Sequence, residues 1–126
     1  MGYSCGRGGF PAFWACSAHL TSLNDGVATS QAYEYRNAVN FLRLLQPAST
    51  AAGDFNLVPA QDTAFEHLTA FKEANCLYAL GQCPTWEPQN IKIDYVYSTM
   101  CRTRNGSLFS LPRSDHHVLR GFFGGC

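Results

Sequence analysis

The 126-residue chain carries little charge, and the charge it has is balanced. Charged residues make up 14% of the sequence, and nine lysines and arginines offset nine aspartates and glutamates. A protein that binds nucleic acid through bulk positive charge needs an excess of basic residues, so a net charge of zero argues against that class. An enzyme that contacts a phosphodiester at one site is not excluded.

Long apolar runs, repeats and low-complexity tracts are also missing. No apolar run approaches the roughly 18 residues that span a bilayer. Met1 is followed by GYSCGRGG, which lacks the apolar stretch of a secretory signal. The apolar content is 46% and the length suits a single core, so we expect one domain over residues 1–126.

The six cysteines lack the spacing of a zinc site, because no C-x-x-C pair occurs. An even, high count instead favours disulfides, and with them an extracellular or exported location; buried free thiols are the alternative. The absence of a visible signal conflicts with that location. Cys5 and Cys16 would face each other across a hairpin, where a bridge is geometrically plausible. The other pairings stay open.

Strand and helix patterns alternate along the chain. A helix is expected from Thr29 or Ser30 to about Gln46, with Tyr35, Val39, Leu42 and Leu45 on its buried face. Asp62 can begin a second helix whose apolar side holds Phe65, Leu68 and Phe71. Strands are expected at 1–5, 12–20, 48–52, 91–98 and 117–125, with a turn at GRGG and a turn-rich link at 102–113. The interleaving predicts an α/β or α+β fold.

Asp54 and Asn56 stand two residues apart at the end of a small, apolar run. In extended backbone both side chains point the same way, and Gly53 permits a bend or a close backbone approach. A carboxylate and an amide directed at one spot suit a hard cation, a water molecule or a phosphate oxygen. The alternative is an Asx turn that closes a strand.

Asp94 lies inside an otherwise apolar strand, and a buried carboxylate needs a partner. A histidine is one candidate partner and Lys92 is another. Asp115 and His116 adjoin just before the last strand, and a histidine held by a carboxylate is a common acid–base pair. His19 ends an aromatic-rich strand, where a packed or edge histidine is the alternative to a catalytic one.

The chain carries the motifs SAHL, Arg36, GDFN, KIDYVYS and SDHHVLRG in this order. In these motifs and in their order it resembles the endonuclease/exonuclease/phosphatase family, which has the deoxyribonuclease I-like fold. The matched pieces cover nearly the whole chain, and ACSAHL is similar to exported bacterial members. The resemblance implies part of a four-layer α/β sandwich and a metal-dependent phosphoesterase or nuclease. Its cofactor would be Mg²⁺ or another divalent cation such as Mn²⁺ or Ca²⁺.

The resemblance also implies roles for individual residues. His19 would bind phosphate or serve as an acid, while Asp54 and Asn56 would orient the attacking water and contact the scissile phosphate. Asp94 would position His116, the catalytic histidine. Asp115 would lie at the metal.

Family members are longer, and their N-terminal half supplies an asparagine and a glutamate that hold the metal. Only 18 residues precede His19, so the chain resembles the C-terminal half alone. We therefore expect either part of a phosphoesterase or a catalytically inactive fragment or binding remnant. Self-association is a way to cover the exposed sheet. The substrate stays open among DNA, RNA, a lipid headgroup and a small phosphate ester.

Overall fold

The computed structural model describes residues 2–9, 12–59, 61, 70–74 and 83–124, without the side chains of 101–105 and 124. Its strands and helix are β1 (Gly2–Gly8), β2 (Phe13–His19), α1 (Asp25–Leu45), β3 (Ser49–Asp54), β4 (Lys72–Glu73), β5 (Asp94–Ser98), β6 (Cys101–Phe109) and β7 (Val118–Gly124). A short 3₁₀ helix covers Glu87–Gln89. The helix predicted from Asp62 lies outside the described residues except for Phe71, which is buried next to β4.

The strands form a five-stranded sheet in the order β1-β2-β3-β5-β4 and a two-stranded sheet of β6 and β7. β2 and β3 run parallel and are connected through α1, while the other pairs are antiparallel. A parallel pair needs a crossover connection, and α1 supplies it. The fold is therefore mixed α/β, as the interleaved sequence patterns predicted.

Helix α1 begins more than one turn earlier than the sequence predicted. Asn24 is the N-cap, and its side chain accepts a hydrogen bond of 3.1 Å from the Val27 N–H. The hydroxyls of Thr29 and Ser30 instead bond back to carbonyls of the preceding turn. Because their hydroxyls bond to the helix's own backbone, Thr29 and Ser30 can stand inside the helix, and the prediction that one of them caps it was wrong.

The core lies between α1 and one face of the five-stranded sheet. Helix residues at helical spacing (Ala28, Ala32, Tyr35 and Val39) are buried there against small and aromatic side chains of the sheet. Leu42, predicted on the buried face, is partly buried against this core, but Leu45 is 64% exposed. The prediction for Leu45 was wrong because no described element covers the last turn of α1.

The predicted link at 102–113 is largely a strand. β6 pairs antiparallel with β7, and its register shifts between Arg102 and Arg104 and again between Arg104 and Ser107. Asn105 and Gly106, in the middle of the predicted link, fall within these irregularities, so the backbone bends there without leaving the sheet. The GRGG segment likewise belongs mostly to β1 and not to the turn.

The structure tests the predicted disulfide pairing and the predicted absence of a membrane-spanning segment. Cys5 and Cys16 are register partners in β1 and β2 and form a disulfide, as predicted. Cys83 is also disulfide-bonded, and no free cysteine occurs among those whose side chains the structure describes. These bonds are consistent with an exported protein. Among the described residues no helix is long and apolar enough to cross a membrane.

Candidate active site

Three predicted residues form a row across one end of the sheet. His19 of β2 is the register partner of Asp54 of β3, and Asp54 is the partner of Asp94 of β5. Register partners in neighbouring strands direct their side chains to the same face, so the row presents one imidazole and two carboxylates together. Sequence positions far apart thus meet because three strands end or begin at the same edge.

Gly53 makes this row possible. Its φ is +147°, and a Cβ built on it would lie 2.0 Å from the Ala18 carbonyl oxygen. No other residue fits so close to the neighbouring backbone. The glycine of GDFN therefore brings β3 against β2 and fixes His19 beside Asp54.

Asp54 and Asn56 form an Asx turn and also face the cleft. The Asn56 N–H donates to Asp54 Oδ1 at 2.9 Å, and Asn56 takes a positive φ of 51°. The Asn56 amide nitrogen donates to the Leu20 carbonyl at 2.9 Å. Asp54 Oδ2 remains directed at the histidines, with His19 Nε2 3.7 Å away. The two sequence interpretations of this pair are compatible, because each uses a different oxygen of Asp54.

His116 is held by Asp94. Its Nδ1 lies 2.9 Å from Asp94 Oδ2, and its Nε2 lies 4.0 Å from Asp54 Oδ2. A carboxylate at Nδ1 favours the tautomer with the proton on that nitrogen, so Nε2 offers its lone pair to the cleft. Lys92, the other candidate partner of Asp94, is buried and pairs with Glu73 instead.

The carboxylates and the histidine shift one another's pKa values. Partial burial lowers the pKa of His116, but the hydrogen bond and charge of Asp94, with the charges of Asp54 and Asp115, outweigh it and raise the pKa above its usual range. Desolvation and the charge of Asp94 raise the pKa of Asp54, against the opposing hydrogen bond from Asn56 and the two histidines. Such perturbed groups in a cleft are typical of functional sites.

Asp115 lies apart from this cluster. Its carboxylate is exposed and accepts a hydrogen bond of 3.1 Å from the Trp86 indole N–H. Among the described residues the three that come close enough to share a metal ion are Asp54, Asp94 and His116, whose ligand atoms lie within 4.8 Å of one another. The metal role of Asp115 thus stays a prediction.

A cleft of about 610 Å³ opens over the row. His19, Asp54, Asn56 and His116 line it, together with an apolar set that the sequence analysis did not single out: Val58, Trp86, Ile91 and Ile93. Trp86 stands in a segment, CPTWEPQN, whose composition indicates only a loop. Its proximity to His116 depends on an isolated bridge between the two residues, which no local pattern encodes.

Comparison with known proteins gives a fold and no close relative. No sequence-family model and no curated protein sequence matches the chain. Solved structures do match. One is a conserved protein of unknown function from Enterococcus faecalis, with a TM-score of 0.69 and 16% identity over 90% of this chain and 50% of that one. Another is beta toxin from Staphylococcus aureus, with a TM-score of 0.67 and 16% identity over 98% of this chain and 57% of that one. An endonuclease/exonuclease/phosphatase family protein from Bacteroides thetaiotaomicron matches with a TM-score of 0.50 at 14% identity, over 87% of this chain and 45% of that one. The chain spans about half the length of the structures it matches.

Proposed function

From the premise that the chain has the fold of one half of an endonuclease/exonuclease/phosphatase domain, we propose that its cleft hydrolyses phosphate esters. The observation that carries the proposal is the arrangement of His116 between two carboxylates, with Nδ1 on Asp94 at 2.9 Å and Nε2 4.0 Å from Asp54. An imidazole oriented by one carboxylate and open on its other nitrogen is equipped for acid–base chemistry.

His116 and Asp54 act on water and on the departing oxygen. In this mechanism Asp54 Oδ2 accepts a hydrogen bond from the attacking water and aligns it with the phosphorus. His116 Nε2 accepts a proton from that water or, when protonated, donates one to the leaving oxygen. Asp94 keeps the ring in place and stabilises its charged form, which agrees in direction with the raised pKa of His116.

Asn56 and His19 hold the phosphate. The Asn56 amide nitrogen donates one of its two hydrogens to the Leu20 carbonyl, so its second N–H is left to donate to a phosphate oxygen and its amide oxygen is left to accept from water. The His19 side chain is 75% exposed at the mouth of the cleft, 3.7 Å from Asp54. When charged, it attracts a phosphate oxygen at that position.

A divalent cation fits part of this donor set. Of the three residues close enough to share an ion, Asp94 and His116 engage each other, so Asp54 Oδ2 with the Asn56 amide oxygen would hold it. The family resemblance adds Asp115, whose carboxylate accepts from the Trp86 indole outside this cluster. Mg²⁺ accepts such a site, because it is commonly bound by one or two carboxylates with water and phosphate completing its shell. Mn²⁺ and Ca²⁺ also take oxygen ligands. When bound, the cation supplies charge stabilisation to the phosphate and the departing oxygen.

The test is hydrolysis of bis(4-nitrophenyl) phosphate and of plasmid DNA by the purified chain in Mg²⁺, with and without EDTA. Asp54→Ala and His116→Ala should each lower the rate about 10³-fold or more, as expected for groups that act as a unit. His117→Ala is the matched control, since this neighbouring histidine bonds to Ser110 and not to the cleft. Circular dichroism checks that each variant is folded. Hydrolysis that persists in Asp54→Ala or His116→Ala would contradict the proposal.

A second candidate is a binding remnant without catalysis. The observation that favours it is the donor set: among the described residues Asp54, Asp94 and His116 come close enough to share an ion, and two of them engage each other, while the family resemblance assigns a metal-holding glutamate to the half that the chain does not span. A folded chain that binds inorganic phosphate at Asp54 and His116 by NMR, yet hydrolyses neither substrate, would decide for this candidate.

The remaining proposals concern partners and location. DNA is the first macromolecular substrate to test, and self-association is the proposed cover for the open face of the sheet. Analytical ultracentrifugation should then detect a dimer, and a monomer at all concentrations would contradict it. The disulfides support an extracellular or exported protein.

A further inference from the structure

The apolar lining of the cleft has no part in the chemistry proposed above. Trp86, Ile91 and Ile93 come from one short segment that folds back on itself. Trp86 and Ile91 exchange backbone hydrogen bonds of 3.0 and 3.3 Å around the 3₁₀ helix, so they are bridge partners. Partners in an antiparallel bridge carry their side chains side by side. The segment thus presents an indole and an aliphatic side chain to the cleft as one surface.

Trp86 is also fixed to the segment that carries His116. The two residues form an antiparallel bridge, the Glu87 N–H donates to the Asp115 carbonyl at 2.9 Å, and the His117 N–H donates to the Thr85 carbonyl at 2.7 Å. The indole N–H is held by the Asp115 carboxylate at 3.1 Å. Its orientation is therefore set before a ligand arrives, which lowers the entropy cost of a contact with it.

An indole has no acid or base function at neutral pH, so its use in this cleft is contact. Bridge partners lie about 4.5–5.5 Å apart between Cα atoms. A group esterified to a phosphate at His116 is therefore within reach of the ring. The geometry points to Trp86 as a specificity-determining residue that stacks on a planar ring, a nucleobase or an aryl group, borne by the phosphate ester. This inference rests on the proposed phosphoesterase function of the same cleft.

A quaternary ammonium group is the competing ligand for an indole, through a cation–π contact. Sites of that type surround the cation with several aromatic rings, whereas Trp86 is the one aromatic side chain among the described residues that line this cleft. Two acids near the indole are engaged, Asp115 by the indole N–H and Asp25 by the Gln61 amide at 2.6 Å, while Asp54 faces the two histidines. A single ring flanked by isoleucines suits a flat, uncharged group better.

The chain offers a direct optical test, because Trp14 and Trp86 are its two tryptophans. In a Trp14→Phe variant the fluorescence reports on Trp86 alone. The variant is titrated with thymidine 5′-monophosphate, glycerol 3-phosphate, phosphocholine and thymidine. We expect saturable quenching by the nucleotide and at least about fivefold tighter binding of it than of glycerol 3-phosphate, the factor that one stacked base contributes at the low end. Phosphocholine should bind no better than glycerol 3-phosphate.

Calorimetry on Trp86→Leu supplies the second measurement. This variant should lose the preference for the nucleotide while keeping its affinity for glycerol 3-phosphate. The stacking role would be overturned if Trp86→Leu kept the same preference for the nucleotide over glycerol 3-phosphate. Tighter binding of phosphocholine than of glycerol 3-phosphate, or no quenching by any compound, would also overturn it. Quenching by thymidine in a chain that binds no phosphate compound would support stacking on Trp86 and overturn the phosphoesterase proposal instead. Failure of the stacking role and failure of the phosphoesterase proposal are therefore distinguishable.

Two variants of Asp115 test whether its carboxylate positions the Trp86 indole. Asp115→Ala frees the indole N–H and should reduce the preference for the nucleotide. Asp115→Asn keeps a carbonyl oxygen that accepts the same hydrogen bond and should restore it, measured in EDTA so that metal binding has no part. The same loss in both variants would contradict the positioning of Trp86 by Asp115.

Discussion

The two faces of the five-stranded sheet are built from different residues. The face under α1 carries a cluster of large aromatic side chains, in which Phe55 lies 5.1 Å from Tyr95 and 5.9 Å from Tyr35 between ring centres. The opposite face is lined along its length by small side chains that are register neighbours, such as Ser4, Ser17 and Ala52. At the end where β2 and β3 finish, it carries the larger polar side chains of His19, Asp54 and Asp94, which belong to the candidate active site.

This difference separates stability from chemistry. Burial of apolar and aromatic surface stabilises the fold on the helix side, whereas the other face holds carboxylates and histidines whose pKa values are perturbed. Substitutions on the helix side should therefore change the free energy of unfolding. Substitutions in the row of His19, Asp54 and Asp94 should change function with little loss of stability.

The largest effect on stability is expected for Phe55→Ala. Phe55 is fully buried among the aromatic rings, and removal of a buried phenylalanine side chain costs about 3–5 kcal/mol. The measurement is guanidinium unfolding followed by circular dichroism. Ser17→Ala on the exposed face is the control and should stay within about 0.5 kcal/mol. Similar losses in both variants would contradict the division between the faces.

Gly53→Ala should come next, at about 3 kcal/mol or more, because the new Cβ would overlap the Ala18 carbonyl and the backbone has a positive φ. The separation of β2 and β3 should also move His19 away from Asp54, so phosphate binding weakens with stability. Gly6→Ala is the matched control, since nothing lies within 4 Å of its added Cβ. A stable Gly53→Ala chain would mean that the strands can part without cost.

Asp54→Asn should stabilise the chain by on the order of 1 kcal/mol at pH 7 while it removes function. The pKa of Asp54 is raised in the folded state, so its charged form disfavours folding above that pKa and the cost disappears as the pH falls toward 3.8. Asparagine keeps an oxygen for the Asn56 N–H. Unfolding curves between pH 4 and pH 7 should show a gain that shrinks with falling pH, and a gain independent of pH would be inconsistent with this origin.

The smallest effect concerns His116. Because its pKa is raised on folding, its contribution to stability is fully present below the unfolded value of 6.5 and is lost as the pH rises through the folded pKa. Asp94→Asn should lower that pKa in an NMR titration of the ring. It should also flatten the pH dependence of unfolding, as His116→Gln would. An unchanged His116 titration in Asp94→Asn would show that the 2.9 Å contact does not govern the ring.

Much of the fold was predictable because its signals are local. Alternation in IKIDYVYS, the helical spacing of Tyr35 and Val39, and the positions of Cys5 and Cys16 each depend on residues close in sequence or across one hairpin. The errors arose where local signals conflict with tertiary context. The segment 102–113 has the composition of a turn-rich link, but most of it lies in β6. Leu45 continues the helical spacing of buried residues, yet it lies past the part of α1 that the sheet covers.

By itself, the sequence determined the class of fold, the hairpin disulfide and the residue types of the candidate site, because periodicity, pairing across a turn and chemical identity are local properties. Only the tertiary structure decided which groups meet: that Asp94 holds His116 and Lys92 turns to Glu73, that one Asp54 oxygen closes a turn while the other faces the histidines, and that Trp86 lines the cleft. These contacts join residues distant in sequence. They exist because strand register and the close approach at Gly53 bring separate segments to one end of the sheet.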